Sequence, residues 1–219
     1  MFVHQTIIRF PDIKLETRDA HKLRGYFGNL FREKSELLHN HMGNGEFRYD
    51  YPKVQYKVID TMPMLVGLGE GAELLPRLFL SIKELNIGGS KIPVHQKNIE
   101  SKKVKIGVKS EPEIYTFKTL WMALNQKNHA KYENANPFER DELLQKILVG
   151  NVLSFFKGMD LFVDSKIEAT CKLTQKMTGF KGNKMRAFDG MVQTNARLPD
   201  YIGVGKQVSR GFGTIKKVP

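Results

Sequence analysis

Cysteine is almost absent from these 219 residues: Cys171 stands alone. One thiol cannot close an internal disulfide, and without thiolate partners no cysteine cage for a metal can be built. A reducing compartment suits such a chain. Long apolar runs are missing as well. No stretch approaches the roughly 20 residues that cross a bilayer, and the opening MFVHQTIIRF is too short and too mixed in polarity for a secretory leader. A soluble, cytoplasmic protein with no membrane partner is expected. Acidic side chains are scarce beside basic ones, 23 Asp and Glu against 35 Lys and Arg, for a formal net charge of +12.

An apolar content of 41% with 10% aromatic residues excludes disorder. The length suits one large domain or two of about 100 residues each, and two is the expectation. The charge is unevenly spread: from Lys166 onward there are 11 basic residues against 3 acidic ones, two thirds of the whole excess. A field concentrated in this way attracts polyanions, nucleic acid first, with anionic surfaces and acidic proteins behind it. The alternative is a solvated lysine-rich surface with no partner.

Residues 2–10, rich in β-branched and aromatic side chains and ending at Pro11, read as a strand. Asp19 is placed to cap a helix in which Ala20, Leu23, Tyr26, Phe27, Leu30 and Phe31 recur at helical spacing. FRYDYPKVQYKVID alternates as extended chain, and GLGEG turns into a helix predicted over 72–85 (AELLPRLFLSIKEL). KIPVHQKNI and KKVKIGVK then read as strands. That order is the split βαβ, or ferredoxin-like, unit. The second half starts similarly with EIYTFKTLWMAL as strand. Pro137 opens a helix striped by Leu144, Ile147, Leu148, Val152 and Phe155. KIEATCKLTQKM and NKMRAFDGMVQTNARL form strands joined by GFKGN, and GTIKKV closes the sheet. The fold class expected is α+β, two tandem ferredoxin-like (RRM-like, βαββαβ) domains, 1–109 and 110–219, with a glycine-rich loop at 203–213.

That loop, GVGKQVSRGFG, carries the strongest signal. It is not a nucleotide-binding P-loop, because Gln207 stands where a hydroxyl must follow the lysine. Nor is it a dinucleotide fingerprint, since Val208 occupies the third glycine position and no long helix can follow. Glycines at 203, 205, 211 and 213 would let main chain lie close to a sugar–phosphate strand, with Lys206 and Arg210 supplying charge-assisted contacts and Val204 and Phe212 anchoring the loop. A tight turn between packed segments explains two of the four glycines.

GVGKQVSRGFG resembles the carboxyl-terminal glycine-rich loop of the RAMP superfamily, specifically of the CRISPR repeat-processing endoribonucleases, the sixth Cas family: two glycine–apolar–glycine triplets around five residues that include a base. LRGYFG is similar to that family's first helix, and LHNHMGNGEFRYDY to the loop and strand after it. The resemblance implies tandem ferredoxin-like domains and metal-independent cleavage of precursor RNA within the repeat. The ribose 2′-OH attacks the adjacent phosphate, leaving a 2′,3′-cyclic phosphate and a 5′-OH. It implies no cofactor. The implied partners are CRISPR repeat RNA, other CRISPR effector subunits and a second copy of the chain.

Such a reaction needs a base near the 2′-OH and positive charge over the developing phosphorane. Histidine titrates near neutrality and suits the base. Six are available, at 4, 21, 39, 41, 95 and 129. The resemblance places the catalytic histidine after Leu38, eight residues before Phe47, which selects His39 first and His41 second. The family's assisting tyrosine and lysine fall on Gly28 and Gly45 of this chain, and Tyr26, Lys34 or Arg48 are the candidates to substitute, Tyr26 first. His39 with His41 does not make a metal site, because the third and fourth ligands are missing. For binding, Lys181, Lys184 and Arg186 on the GFKGNKMR hairpin suit the backbone of a structured RNA, a solvated turn being the alternative. GLGEG reads as a plain turn, because Glu70 and Glu73 oppose an anion there. A non-catalytic RNA-binding subunit on the same scaffold is the second functional reading. Generic RRM-type binding lacks the aromatic signature.

Overall fold

The computed structural model describes residues 1–30, 51–80, 82–180 and 182–219. The chain divides into two compact units, one of Phe2–Val104 with Ser209–Gly211, the other of Met1, Lys105–Val208 and Phe212–Pro219.

The first unit runs β1 (Phe2–Arg9), α1 (Ala20–Leu30), β2 (Val54–Ile59), β3 (Met62–Leu68), α2 (Glu70–Phe79), β4 (Glu84–Ile87), β5 (Ser90–Pro93) and β6 (Asn98–Lys105). Its main sheet has the order β2-β3-β1-β6. A short 3₁₀ turn, Thr17–Asp19, precedes α1. Glu16 rather than Asp19 is its cap: Glu16 and Asp19 satisfy each other's backbone N–H in a reciprocal box. Ala20, Leu23 and Phe27 then bury one face of α1, with Phe27 edge-on to Phe79 of α2 at 4.4 Å and stacked near Tyr56 of β2 at 5.9 Å.

Three expectations shift here. The second helix stops at Phe79 rather than running to Leu85, with Pro76 inside its last turn, where proline lacks a donor and crowds the preceding carbonyl. The chain after it forms a separate hairpin, β4–β5, turned by Gly88 and Gly89 at φ 63° and 90°, the left-handed pair that a tight hairpin takes. KIPVHQKNI is therefore split between β5 and β6.

The second unit runs β7 (Gly107–Phe117), α3 (Gln126–Asn134), α4 (Pro137–Gly158), β8 (Ala169–Phe180), β9 (Asn183–Arg197) and β10 (Ile215–Lys217). Its sheet order, β10-β7-β9-β8, repeats that of the first: fourth strand, first, third, second, with every described pairing antiparallel. Both units are ferredoxin-like. Pro137 stands at the first position of α4 behind an Asn136–Glu139 capping box, and Leu144, Leu148, Val152, Phe155 and Phe156 are buried. Ile147 is only half-buried. The segment 118–124 leaves the strand after Phe117; Trp121 is fully buried, stacked on Phe117 at 5.4 Å and bridged to Phe188.

One difference from the parent topology is decisive. In the first unit α2 lies between β3 and β6, the last strand of the sheet, but in the second the equivalent stretch, 198–214, holds only a 3₁₀ turn, Val208–Arg210. The glycine-rich segment takes the place of the second crossover helix.

Candidate nucleic-acid interface

Within the second unit the glycine segment folds back on itself as a narrow ribbon. The Tyr201 N–H donates to the Ile215 carbonyl at 2.7 Å, that of Val204 to Gly213 at 2.9 Å and that of Ile215 to Ile202 at 2.9 Å, while Gly203 bridges Thr214. The ribbon is also held to the chain after β7, with the Gly213 N–H on the Leu120 carbonyl at 2.8 Å and the Lys206 N–H on that of Met122 at 3.1 Å. Backbone donors that a helix would satisfy internally are satisfied here by neighbours.

The protein's own atoms account for the glycines. At Gly205, φ is 92° and a Cβ would stand 2.5 Å from the Trp121 Nε1, an atom already donating to Asn151 Oδ1 at 3.1 Å. At Gly213, φ is 64° and a Cβ would run into the Val204 carbonyl oxygen. Gly203 is pressed by Val208, and Gly211, in the first unit, by Ala20 and the Tyr56 carbonyl. Close approach is real, but in the structure it is approach to protein. Val204 is buried completely, whereas Phe212 is half-buried, edge-on to Phe180 at the end of β8 with ring centres 6.0 Å apart. The apolar residue of the second triplet thus packs beside the basic β8–β9 hairpin.

What the ribbon leaves outward is its middle. Lys206 is exposed, and its ammonium pKa is lowered by partial burial. Arg210 is half-buried at the end of the 3₁₀ turn. On the hairpin, Lys184 is exposed, while Lys181 lies outside the described residues. Arg186 is committed within its own unit: it pairs with Glu133 and lies over the Tyr132 ring at 5.2 Å. The open face of the same sheet carries cations that the sequence reading did not single out. Lys172 and Lys176 alternate outward along β8, and Lys216 of β10 lies over the Tyr201 ring at 5.5 Å. Their signal was the period of two in CKLTQK, which reads as ordinary strand surface until the sheet shows which face is open.

His39 and His41, with Lys34 and Arg48, lie outside the described residues. Tyr26 is described, and its hydroxyl donates to the Glu84 carbonyl at 3.0 Å; burial, and then the Glu84 charge, raise its pKa. Four histidines, His4, His21, His95 and His129, are described and all are exposed. Among the described residues no cluster of His, Cys, Asp and Glu could hold a metal ion, and no helix is long and apolar enough to cross a membrane. GLGEG is not a plain turn: Gly67 and Leu68 end β3, Gly69 caps α2, and Glu70 and Gly71 open that helix, where a Cβ on Gly67 would meet the Gly71 carbonyl group.

A separate network pins the edge of the second sheet. The buried Glu113 carboxylate accepts from Tyr115 Oη at 2.6 Å, Lys109 Nζ at 2.9 Å and Lys217 Nζ at 2.9 Å, with Arg197 at 3.6 Å. Burial works against its charge, yet the hydrogen bonds from Tyr115, Lys217 and Lys109 hold its pKa down at about 2. Glu113 leaves the three cations around it with a net positive charge.

The second ferredoxin-like unit carries a glycine ribbon in place of its last helix, with cations on ribbon, hairpin and open sheet, and this surface is the candidate nucleic-acid interface. The Cas6b N-terminal domain model matches residues 1–105 and the Cas6b C-terminal domain model residues 107–218. The chain belongs to the Cas6b family. A crystal structure of Cas6b is 36% identical with a TM-score of 0.95, and one of the CRISPR RNA processing endoribonuclease Cas6b is 32% identical with a TM-score of 0.82, each match covering 100% of both chains. The uncharacterized protein MJ0978 of Methanocaldococcus jannaschii is 37% identical over 142 residues, 64% of this chain and 97% of its own length.

Proposed function

We propose that this chain is an endoribonuclease that cuts CRISPR precursor RNA within the repeat, without metal, through attack of the ribose 2′-OH on the adjacent phosphate. The observation that carries the reading is the family match over both halves, whose similar solved structures include one of a CRISPR RNA processing endoribonuclease. The glycine ribbon, with Lys206 and Arg210 at its middle, supports it. In this mechanism His39, or His41, takes the proton of the 2′-OH. The oxygen attacks phosphorus, the bond to the 5′-oxygen of the next nucleotide breaks, that oxygen takes a proton from the imidazolium or from water, and a 2′,3′-cyclic phosphate and a 5′-OH remain. Cations supply charge to the phosphorane, and Lys206, Arg210, Lys181 and Lys184 supply it along the strand. Tyr26, already donating to a backbone carbonyl, serves the reaction by fixing α1 to β4.

The test is incubation of the protein with repeat RNA in EDTA. Cleavage at one site, stopped by a 2′-deoxy substitution immediately upstream, is the expected result. Cleavage that requires added metal, or that survives the deoxy substitution, overturns the mechanism. His39→Ala should abolish turnover with RNA binding retained, and loss only in His41→Ala moves the base to the second histidine. Tight binding with no cleavage under any condition would make the chain a binding subunit.

A further inference from the structure

Between Val108 and Glu113 the pairing of β7 with β9 breaks register: Val108 lies opposite Ala196 and Glu113 opposite Thr194, so five steps along β7 match two along β9. Residues 109–112 form the bulge, a device that re-aims side chains, and it brings Lys109 back to Glu113. Lys109 Nζ donates to Glu113 Oε1 at 2.9 Å, and Lys217 Nζ, from β10, donates to the same oxygen at 2.9 Å. The two ammonium nitrogens are therefore no further apart than twice that distance. Arg197 Nε, at the end of β9, stands 3.6 Å from the same oxygen. The other carboxylate oxygen accepts from Tyr115 Oη at 2.6 Å, which itself accepts the Leu198 N–H at 2.9 Å. Every member of the network belongs to the second unit.

Depth separates the four charges. The Glu113 side chain is 4% exposed, against 24% for Lys109, 39% for Arg197 and 50% for Lys217, so the carboxylate is a floor and the cations are a rim. Among the described residues Glu113 is the one carboxylate within ion-pairing distance of the three: Asp200 accepts the Lys217 backbone N–H at 2.7 Å, and Glu111 is exposed in the bulge. Pairing a buried carboxylate takes one cation in good geometry. The second and third are surplus to that need. An ammonium has three donors and a guanidinium five; each lysine directs one to Glu113, and Arg197, at 3.6 Å, is held there by charge rather than by a hydrogen bond. An oxyanion accepting from a guanidinium fork and two ammonium groups matches what remains. We infer that Lys109, Arg197 and Lys217 form a binding site for one phosphodiester of the RNA, held in place from below by Glu113. The inference rests on the RNA-cleavage reading above and extends the interface past the glycine ribbon. Lys217 follows Gly213 by four residues, at most about 14 Å of extended chain. Glu113 and Tyr115 are positioning residues that touch no RNA; ordering three long side chains beforehand lowers the entropy lost on binding.

The experiment measures binding of repeat RNA carrying the 2′-deoxy block, so that cleavage does not interfere, over a range of salt. Arg197→Gln and Lys217→Gln should each weaken binding by about fivefold or more and lower the slope of log affinity against log salt by about one. The double variant should lose less than the product of the single losses, since both cations serve one phosphate. Lys146→Gln removes the same charge at an exposed position of α4 and should leave affinity and slope near those of the wild type. An equal loss there would mean that net charge alone is read, and would overturn the site. Melting temperatures taken without RNA separate a purely structural role: a less stable variant with wild-type affinity and slope assigns the cations to the fold and overturns the site, with the nuclease assignment intact. Losses that simply multiply in the double variant overturn it as well. Lys217→Gln, at the most exposed of the three positions, keeps the test open if Arg197→Gln does not fold. If the wild type binds no repeat RNA, the nuclease reading fails and inorganic sulfate becomes the probe. A rise in melting temperature with sulfate that is lost in Arg197→Gln supports a phosphate site, and an equal rise in both overturns it.

Discussion

The two units carry the same strand order but fill one slot differently. After the third strand of the first unit, GLGEG leads into α2, a helix that satisfies its own backbone and buries Leu75 and Phe79. After the third strand of the second, GVGKQVSRGFG makes a ribbon whose backbone bonds go to itself and to residues 120 and 122. The helix spends its surface on the core, whereas the ribbon leaves Lys206 exposed and Arg210 half-buried. A scaffold element was exchanged for a presenting one, at a place where the surrounding sheet holds both ends of the segment.

The sharpest way to break this contrast is Gly213→Ala. The positive φ of 64° adds its strain to a collision with the Val204 carbonyl, so a loss of at least ~4 kcal/mol of stability is expected, read by denaturant unfolding. Equal stability of variant and parent would mean that the ribbon relaxes freely. Glu113→Gln comes next. The folded carboxylate titrates at about 2 instead of an ordinary 4.5, so its contribution is present above pH 4.5 and disappears as pH falls toward 2. The variant should be ~3 kcal/mol less stable at neutral pH, with the gap closing in acid.

Gly69→Ala, in the helical slot, should cost only about 2 kcal/mol, because φ is 54° but no atom lies within 4 Å of the added Cβ. If it costs as much as Gly213→Ala, the two slots are not different in kind. The first unit also buries a cation, Lys57, whose pKa falls to about 7 through desolvation. Between about pH 7 and 10 the unfolded chain holds a proton that the folded chain releases, so stability should rise with pH by about 1.4 kcal/mol per unit. Lys57→Met should remove that slope in unfolding curves taken across the interval. The smallest expected effect on stability is that of Lys206→Ala, within ~0.5 kcal/mol for an exposed side chain, though RNA affinity should fall and its salt dependence flatten.

Much of the architecture could be read along the chain because the elements concerned announce themselves. Pro137 behind Asn136 starts α4, whose apolar residues recur at helical spacing, and β8 and β9 alternate around GFKGN. The helix α3 escaped because only Tyr132 of its nine residues is buried, so no stripe exists to be seen. The hairpin β4–β5 escaped because Gly88 and Gly89 follow a helix that propensity alone would have carried onward past Phe79. Of the candidate site, the glycine pattern and its cations were visible as a motif. The commitment of Arg186 to Glu133 and Tyr132 was not, since partners more than 50 positions apart leave no local trace.

By itself the sequence determined the class of the chain, its pair of ferredoxin-like units and the place of its glycine-rich segment, because turn residues, caps and hydrophobic period are properties of neighbours along the chain. Only the tertiary structure decided why the glycines are there. Gly205 meets Trp121, Gly211 meets Ala20, and Gly213 meets Val204 across the ribbon. It decided as well that Lys217 reaches the Glu113 carboxylate, 104 positions away in the chain, at 2.9 Å. Steric contact and electrostatic coupling depend on distance in space, and that distance exists only once the strands have paired.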